Sequence, residues 1–261
     1  EVLHHAPAVG QNLQDHLCFD YTYRSKLPSL NEALYPWWGK LRAGLQYVLT
    51  RKGPLSLSVN QGGGFFRARP DSARPDIQLY FSPLTYEKTP PGGARKLTQP
   101  DPFPGFILSV SPCRPTSRGH LQIRSADPRE APLIHPNYLS TNHDVKELLA
   151  GARFLRRLAA TPTMAALIAE ELKPGRPMQS DEEHVADIRA RCYSIFHPVS
   201  TCRMGPDPSQ SVVDPRLRVH GLERLRVVDA SIFPTVTSGN TNAPAIMVGE
   251  KGAALVLADA D

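Results

Sequence analysis

No stretch of this 261-residue chain approaches eighteen consecutive apolar residues, so nothing in it reads as a membrane-spanning helix. Cysteine is scarce. Cys18, Cys113, Cys192 and Cys202 show no CxxC spacing and no alternation with histidine, which removes the usual zinc patterns and leaves reduced, mostly buried thiols. His4-His5 and His220 read as surface histidines that lack the partners a metal site needs, and no metal is expected. The 30 Lys and Arg against 25 Asp and Glu give a net charge of +5, but the basic residues are scattered, without runs of five or interleaved aromatics. That is the pattern of a solvated surface, and it argues against nucleic-acid binding. A G-x-G-x-x-G turn is also missing, so these residues hold no cradle for a dinucleotide pyrophosphate. The opening EVLHHAPAVGQ has neither a methionine nor the regions of a signal peptide. From that start we expect a truncated or processed piece of a longer polypeptide, its targeting information lost upstream. The expected location is cytoplasmic, with membrane association as the alternative.

What is present is a globular composition, 41% hydrophobic, large enough for one domain or two. PAVGQNLQDH at 7–16 reads as a loop or a short capped helix, and alternation from Leu17 to near Ser25 predicts a half-buried strand. A helix is predicted from Lys40 to Thr50, with Leu41, Leu45, Val48 and Leu49 on one face, closed by Gly53-Pro54. Strand-like runs follow at 63–69, 76–82, 105–115 and 119–125, the last two reading as an antiparallel hairpin. The Pro- and Gly-rich stretch from Tyr86 to Pro104 reads as a lid or binding loop. Helical spacing then marks Asn142 to Ala160, Thr163 to Leu172 and Ser180 to Cys192, the last opening on a capping box. Short strands are predicted at 217–220 and 225–229, and a final helix starts near Asn242 to Pro244. Strands first and helices later, without a βαβ repeat, predict an α+β fold: an antiparallel-sheet domain with helices, flanked by pieces of another domain.

Two segments carry chemistry. FHPVSTCRMG, 196–205, places His197 before Pro198, which biases the histidine towards extended backbone on a rigid loop. An imidazole titrating near pH 6.5 can take a proton from a hydroxyl, although a structural histidine fits the residues equally well. Near the C-terminus, Asp229 ends a strand, and Ser238-Gly239-Asn240-Thr241-Asn242 leads into a helix with Pro244 in its first turn. Such a start offers unpaired N–H groups and a positive dipole end; the plain alternative is a capped helix after a loop. Cys202 reads better as a small buried residue than as a nucleophile, and Arg203 as facing a phosphate or making a salt bridge.

PAVGQNLQDH, FHPVSTCRMG and VVDPRLRVHGLERLRVVDASIFPTVTSGNTNAPAIMVGEKGA together resemble the C-terminal region of the glucose-methanol-choline (GMC) oxidoreductases, in their choline dehydrogenase-like alcohol dehydrogenase branch. The resemblance covers essentially the whole chain. It implies a substrate-binding domain over 17–196 and flavin-domain segments at 1–16 and 197–261, the latter being the C-terminal pieces of an FAD-binding, Rossmann-like α/β domain whose N-terminal part is missing. It implies FAD as cofactor, His197 as catalytic base and Asn240 as its partner at the substrate oxygen. By the same resemblance Asp229 and Ala230 lie against the ribityl and phosphate region, and Asn242, Ala243 and Pro244 start the helix under the flavin's pyrimidine edge. Asn12, Asp15 and His16 fall at a hinge and receive no chemistry.

The implied reaction is oxidation of a primary alcohol or polyol to the aldehyde, hydride passing to flavin N5 and a quinone or oxygen serving as electron acceptor. The alternative is a non-catalytic C-terminal fragment or subunit needing an N-terminal FAD-binding partner chain, and inactivity is expected of the isolated stretch. Choline as substrate requires an aromatic or acidic cage. Tyr35, Trp37 and Trp38 offer one, or else an apolar helix-capping cluster.

Overall fold

The computed structural model describes residues 2, 4–86, 99–175, 177, 178 and 180–259. The elements run, in chain order, β1 (Leu17–Ser25), α1 (Leu30–Leu34), α2 (Trp37–Thr50), β2 (Gly62–Phe66), β3 (Ile77–Ser82), β4 (Gly105–Pro112), β5 (His120–Gln122), β6 (Leu133–His135), α3 (Asn142–Ala159), α4 (Pro162–Leu167), β7 (Ile168–Lys173), α5 (Asp181–Arg191) and α6 (Asn242–Leu257). They divide between two compact units, one of Glu1–Leu17, Cys113–Val145 and Ser194–Asp261, the other of Cys18–Pro112 and Lys146–Tyr193.

The second unit is built on an antiparallel sheet in the order β2-β3-β4-β1-β7. Its centre is β1 beside β4, in the register Tyr21↔Leu108 and Tyr23↔Phe106. β4 is buried along its whole length and β1 over seven of its nine residues, because both faces are covered. One cover is α3, whose Leu148, Ala152 and Leu155 are fully buried. Gly151 permits the approach, since a Cβ there would meet Val110 at 3.1 Å and Ile77 at 3.5 Å. Phe66 stacks on Phe154 at 3.8 Å, and α5 begins with the Ser180/Glu183 capping box read from the sequence.

The first unit has little regular structure before α6. Its core gathers Val199, Val213, Leu217, Ile232, Val236 and Val248 from loops and from α6. Gly252 brings α6 onto Val228, where any Cβ would sit 2.3 Å from Cγ1. Asp229 accepts the Ser231 N–H at 2.7 Å and caps the single turn Ala230–Ile232.

Several expectations are corrected here. The strands at 105–115 and 119–125 do not form a hairpin: β4 pairs with β1 and β3, while β5 pairs with β6. The intended turn is diverted because Asp144 takes the N–H groups of Thr116 and Ser117 at 2.7 and 2.8 Å, and Gly119 exchanges both backbone bonds with Leu13. The helix expected over 163–172 stops at Leu167, after which Ile168–Lys173 adds to β1 as β7; pairing overrides the helical preference of Ala-Glu-Glu-Leu. The strands at 217–220 and 225–229 shrink to isolated bridges, Val213↔Val219 and Arg218↔Arg226, because Leu217, Gly221 and Arg224 have positive φ. The apolar stripe of α2 faces outward, with Leu49 at 79% exposure, and Gly39 and Ala43 are the buried residues. Tyr35, Trp37 and Trp38 are likewise exposed, so they do not form a buried cap. Of the loop expected over 86–104, positions 87–98 lie outside the described residues.

Candidate active site

The site assembles within the first unit from two segments 181 residues apart. Residues 13–16 run antiparallel to 195–199: Gln14 and Val199 exchange backbone bonds at 3.1 and 2.9 Å, and the Ile195 N–H reaches the His16 carbonyl at 3.2 Å. Between those anchors the His197 N–H donates to Asp15 Oδ1 at 2.8 Å. The other oxygen of that buried carboxylate accepts the hydroxyls of Tyr138 and Ser194. The backbone of His197 is therefore held by Asp15, between the anchors at Ile195 and Val199. Left-handed conformations at Phe196, φ 63°, and Ser200, φ 75°, turn the chain on either side of it.

The imidazole is held as firmly. His197 Nδ1 lies 3.0 Å from His16 Nδ1, and the two rings meet edge to face at 85°. Its other nitrogen, Nε2, faces the Asn240 amide nitrogen at 3.5 Å. Gln14 carries Asn240's loop, accepting the Val236 N–H at 2.9 Å and donating to the Pro115 carbonyl at 2.7 Å. Burial pushes the His197 imidazole below its ordinary value, against the opposing pull of the Asp15 charge. The histidine is consequently neutral near pH 7, with one ring nitrogen beside an exposed amide.

Asn240 stands one residue before Thr241, at the start of α6, where no side chain caps the helix and Asn242 and Ala243 are exposed. This end presents backbone N–H groups and the positive end of the helix dipole. Ile246 and Met247, 59% and 57% exposed, add an apolar surface one turn further on. His197 and Asn240 are thus brought together, and Asn242, Ala243 and Pro244 form the helix start next to them. Asp229 and Ala230 form a separate capped turn.

A profile described as GMC oxidoreductase matches residues 115–249. The chain belongs to the GMC oxidoreductase family. The alcohol dehydrogenase [acceptor] of Pseudomonas putida is 41% identical over the whole chain, which covers 46% of that protein. The mitochondrial choline dehydrogenase of Mus musculus is 42% identical over 98% of this chain and 42% of its own length. Formate oxidase of Aspergillus oryzae RIB40, in a variant studied for FAD modification, superposes with a TM-score of 0.83 at 27% identity, covering 97% of this chain and 48% of that one. The chain spans a little under half the length of these relatives.

GMC oxidoreductases are FAD-dependent flavoproteins. The residues present fit the ring end of that cofactor: an uncapped, exposed helix start suits an electron-rich heterocycle edge, and Ile246 and Met247 suit its flat face. A pyrophosphate cradle is not found in the sequence of this chain.

Asp15, His16 and His220 are reassigned from the roles read in the sequence. Asp15 and His16 belong to the site itself. His220 is partly buried and bonded to the Gly205 carbonyl at 3.0 Å, because the bend at Gly221 turns it inward. Arg203 donates to the Gln210 carbonyl at 3.0 and 2.8 Å. Burial raises the Cys202 thiol above its usual value, so it is protonated and unsuited to nucleophilic work.

Ser200 invites a stability test. It is fully buried at φ 75°, and its hydroxyl has no hydrogen-bond partner among the described residues. Ser200→Gly relieves both penalties at the expense of unfolded-state entropy, so a net gain of about 1 kcal/mol is expected, read as a higher urea midpoint. A lower midpoint shows that the hydroxyl is contributing more than the strain removes.

Proposed function

We propose that this chain carries the proton-handling half of an FAD-dependent oxidoreductase that oxidises the CH–OH group of a primary alcohol or polyol to the aldehyde. The observation that carries this reading is the convergence of a neutral, half-buried imidazole and an exposed amide at 3.5 Å, next to an uncapped helix start. An alcohol oxygen within reach of both gives its proton to His197 Nε2 and accepts a hydrogen bond from the Asn240 amide. As the carbon loses its hydrogen, negative charge grows on that oxygen, and the base and donor stabilise it where it develops. FAD, when bound, supplies the acceptor for the hydrogen and electrons leaving the carbon. Asp15 fixes where His197 stands, so the oxygen is met by a positioned base without reorganisation.

In this reading the span 17–196 contributes substrate binding, and Asp229 and Ala230 contact the ribityl and phosphate portion of the cofactor. A quinone or oxygen takes the electrons onward. The kinship with an alcohol dehydrogenase and a choline dehydrogenase supports an alcohol as substrate. The test is anaerobic mixing of primary alcohols with the FAD-loaded protein, carrying the N-terminal half its relatives possess. Bleaching of the flavin absorbance by alcohols is the expected result. A flavin that dithionite reduces but no alcohol does overturns the assignment.

A further inference from the structure

The contacts of His16 determine which nitrogen of His197 carries a proton. His16 Nε2 lies 3.2 Å from the Cys113 carbonyl, and a carbonyl only accepts, so Nε2 carries the hydrogen. His16 is 2% exposed. Burial lowers its pKa, with the Cys113 and Thr237 carbonyls and the Asp15 charge opposing and His197 reinforcing, which keeps the ring neutral. A neutral ring protonated at Nε2 has a bare lone pair at Nδ1. That lone pair faces His197 Nδ1 at 3.0 Å, and two bare nitrogens cannot share such a distance, so the proton between them belongs to His197.

We propose that His16 is a positioning residue that locks His197 in the Nδ1–H tautomer and so leaves Nε2 bare towards Asn240 and the substrate hydroxyl. The chain runs from His197 Nδ1–H to His16 Nδ1, then from His16 Nε2–H to the Cys113 carbonyl. In the opposite tautomer, Nε2 would present a hydrogen to the alcohol and could not accept one. Without an acceptor at Nδ1, both tautomers of an imidazole are open, and the hydrogen bond made by one nitrogen decides the state of the other. After Nε2 takes the substrate proton, the Nδ1–H remains bonded to His16, so the newly charged ring keeps its partner. Among the described residues, the charged group acting on both rings is Asp15, and the two imidazoles face each other.

The catalytic value of this lock rests on the function proposed above, but the tautomer does not, and the experiment separates them. In the FAD-loaded protein labelled with 15N-histidine, the His197 signal is assigned by its loss in His197→Gln, and it is expected to report a protonated Nδ1 and a bare Nε2. Kinetically, His16→Phe removes the acceptor and is expected to lower kcat about 10- to 100-fold with KM little changed, whereas His16→Asn, which returns an oxygen near the Nδ1 position, recovers most of that loss. The acid limb of the kcat/KM profile is expected to move to lower pH in His16→Phe, because the charged ring loses its acceptor, and to higher pH in His16→Asp, because a carboxylate favours the charged ring. A purely structural role predicts no such opposed shifts. If His16→Phe fails to fold, the native tautomer and His16→Asn still decide. A proton found on Nε2 of His197 overturns the proposal whatever the kinetics. A protonated Nδ1 together with undiminished alcohol oxidation in His197→Ala instead sinks the catalytic reading and leaves the lock standing.

Discussion

Replacing His197 by alanine is expected to lower kcat/KM for alcohol oxidation by about 10²- to 10⁴-fold, the usual contribution of a positioned general base. That is about 3–5 kcal/mol of transition-state stabilisation. The loss should fall on the rate of flavin reduction, since the imidazole acts on a proton that moves only as the reaction proceeds; a rise in KM at unchanged kcat would mean that His197 merely binds the substrate. The pH profile provides an independent sign. His197 works as a base in its neutral form, and burial holds it below its ordinary 6.5, so the acid limb of kcat/KM in the native protein is expected below 6.5. Activity is retained above that limb and lost as pH falls through it. In His197→Ala the limb should disappear, because the group that titrates is gone. A residual limb at the same pH would transfer the role to another group, and His16 is buried and neutral on the same side of the site.

The sequence made half of this site legible and hid the other half for a physical reason. His197 and Asn240 are singled out by the family resemblance of their segments; the local features, a histidine pinned before Pro198 and an amide one residue ahead of a helix with Pro244 in its first turn, fit a structural histidine and a plain cap equally well. Both signals are local, and so is the Ser180/Glu183 capping box that the structure reproduces. Asp15 and His16 gave no such signal. Their work depends on the antiparallel approach of 13–16 to 195–199, and a polar dipeptide before a strand says nothing about a partner 181 residues away. The same limit explains the errors in the fold. The pattern of Leu17 to Ser25 predicted the span of the strand, because that signal is local, but not its burial on both faces, which depends on elements packed from elsewhere in the chain. The supposed hairpin failed because Asp144, 28 residues on from Thr116, captures the donors a turn would have used. The helix over 163–172 failed because a sheet edge was available to its second half.

In the sheet-bearing unit the largest stability effect is expected from Asn31→Leu, a near-isosteric change that removes every polar atom of a fully buried side chain. The Asn31 amide nitrogen donates to the Thr85 carbonyl at 2.8 Å, the Thr85 hydroxyl at 3.0 Å and the Asp101 carbonyl at 3.1 Å. Its oxygen accepts the Thr85 N–H at 2.9 Å and the Ser29 hydroxyl at 3.1 Å. One side chain therefore ties the capped start of α1 to two loop positions on either side of residues 87–98. Leucine fills much of the volume, so the cavity contribution is small, and water has little room to replace the lost contacts. The Thr85 N–H is left without that acceptor in a buried setting, and each orphaned group of this kind costs about 1–3 kcal/mol, which gives about 3–5 kcal/mol for the substitution as a whole. Thr85→Val, which keeps shape and removes only the hydroxyl, should cost about 1 kcal/mol, because the Asn31 amide retains its two carbonyl acceptors. Urea unfolding followed by a probe in the sheet measures both. Comparable losses in the two variants would mean that packing at this site, and not the amide's five contacts, holds α1 and the loop positions together.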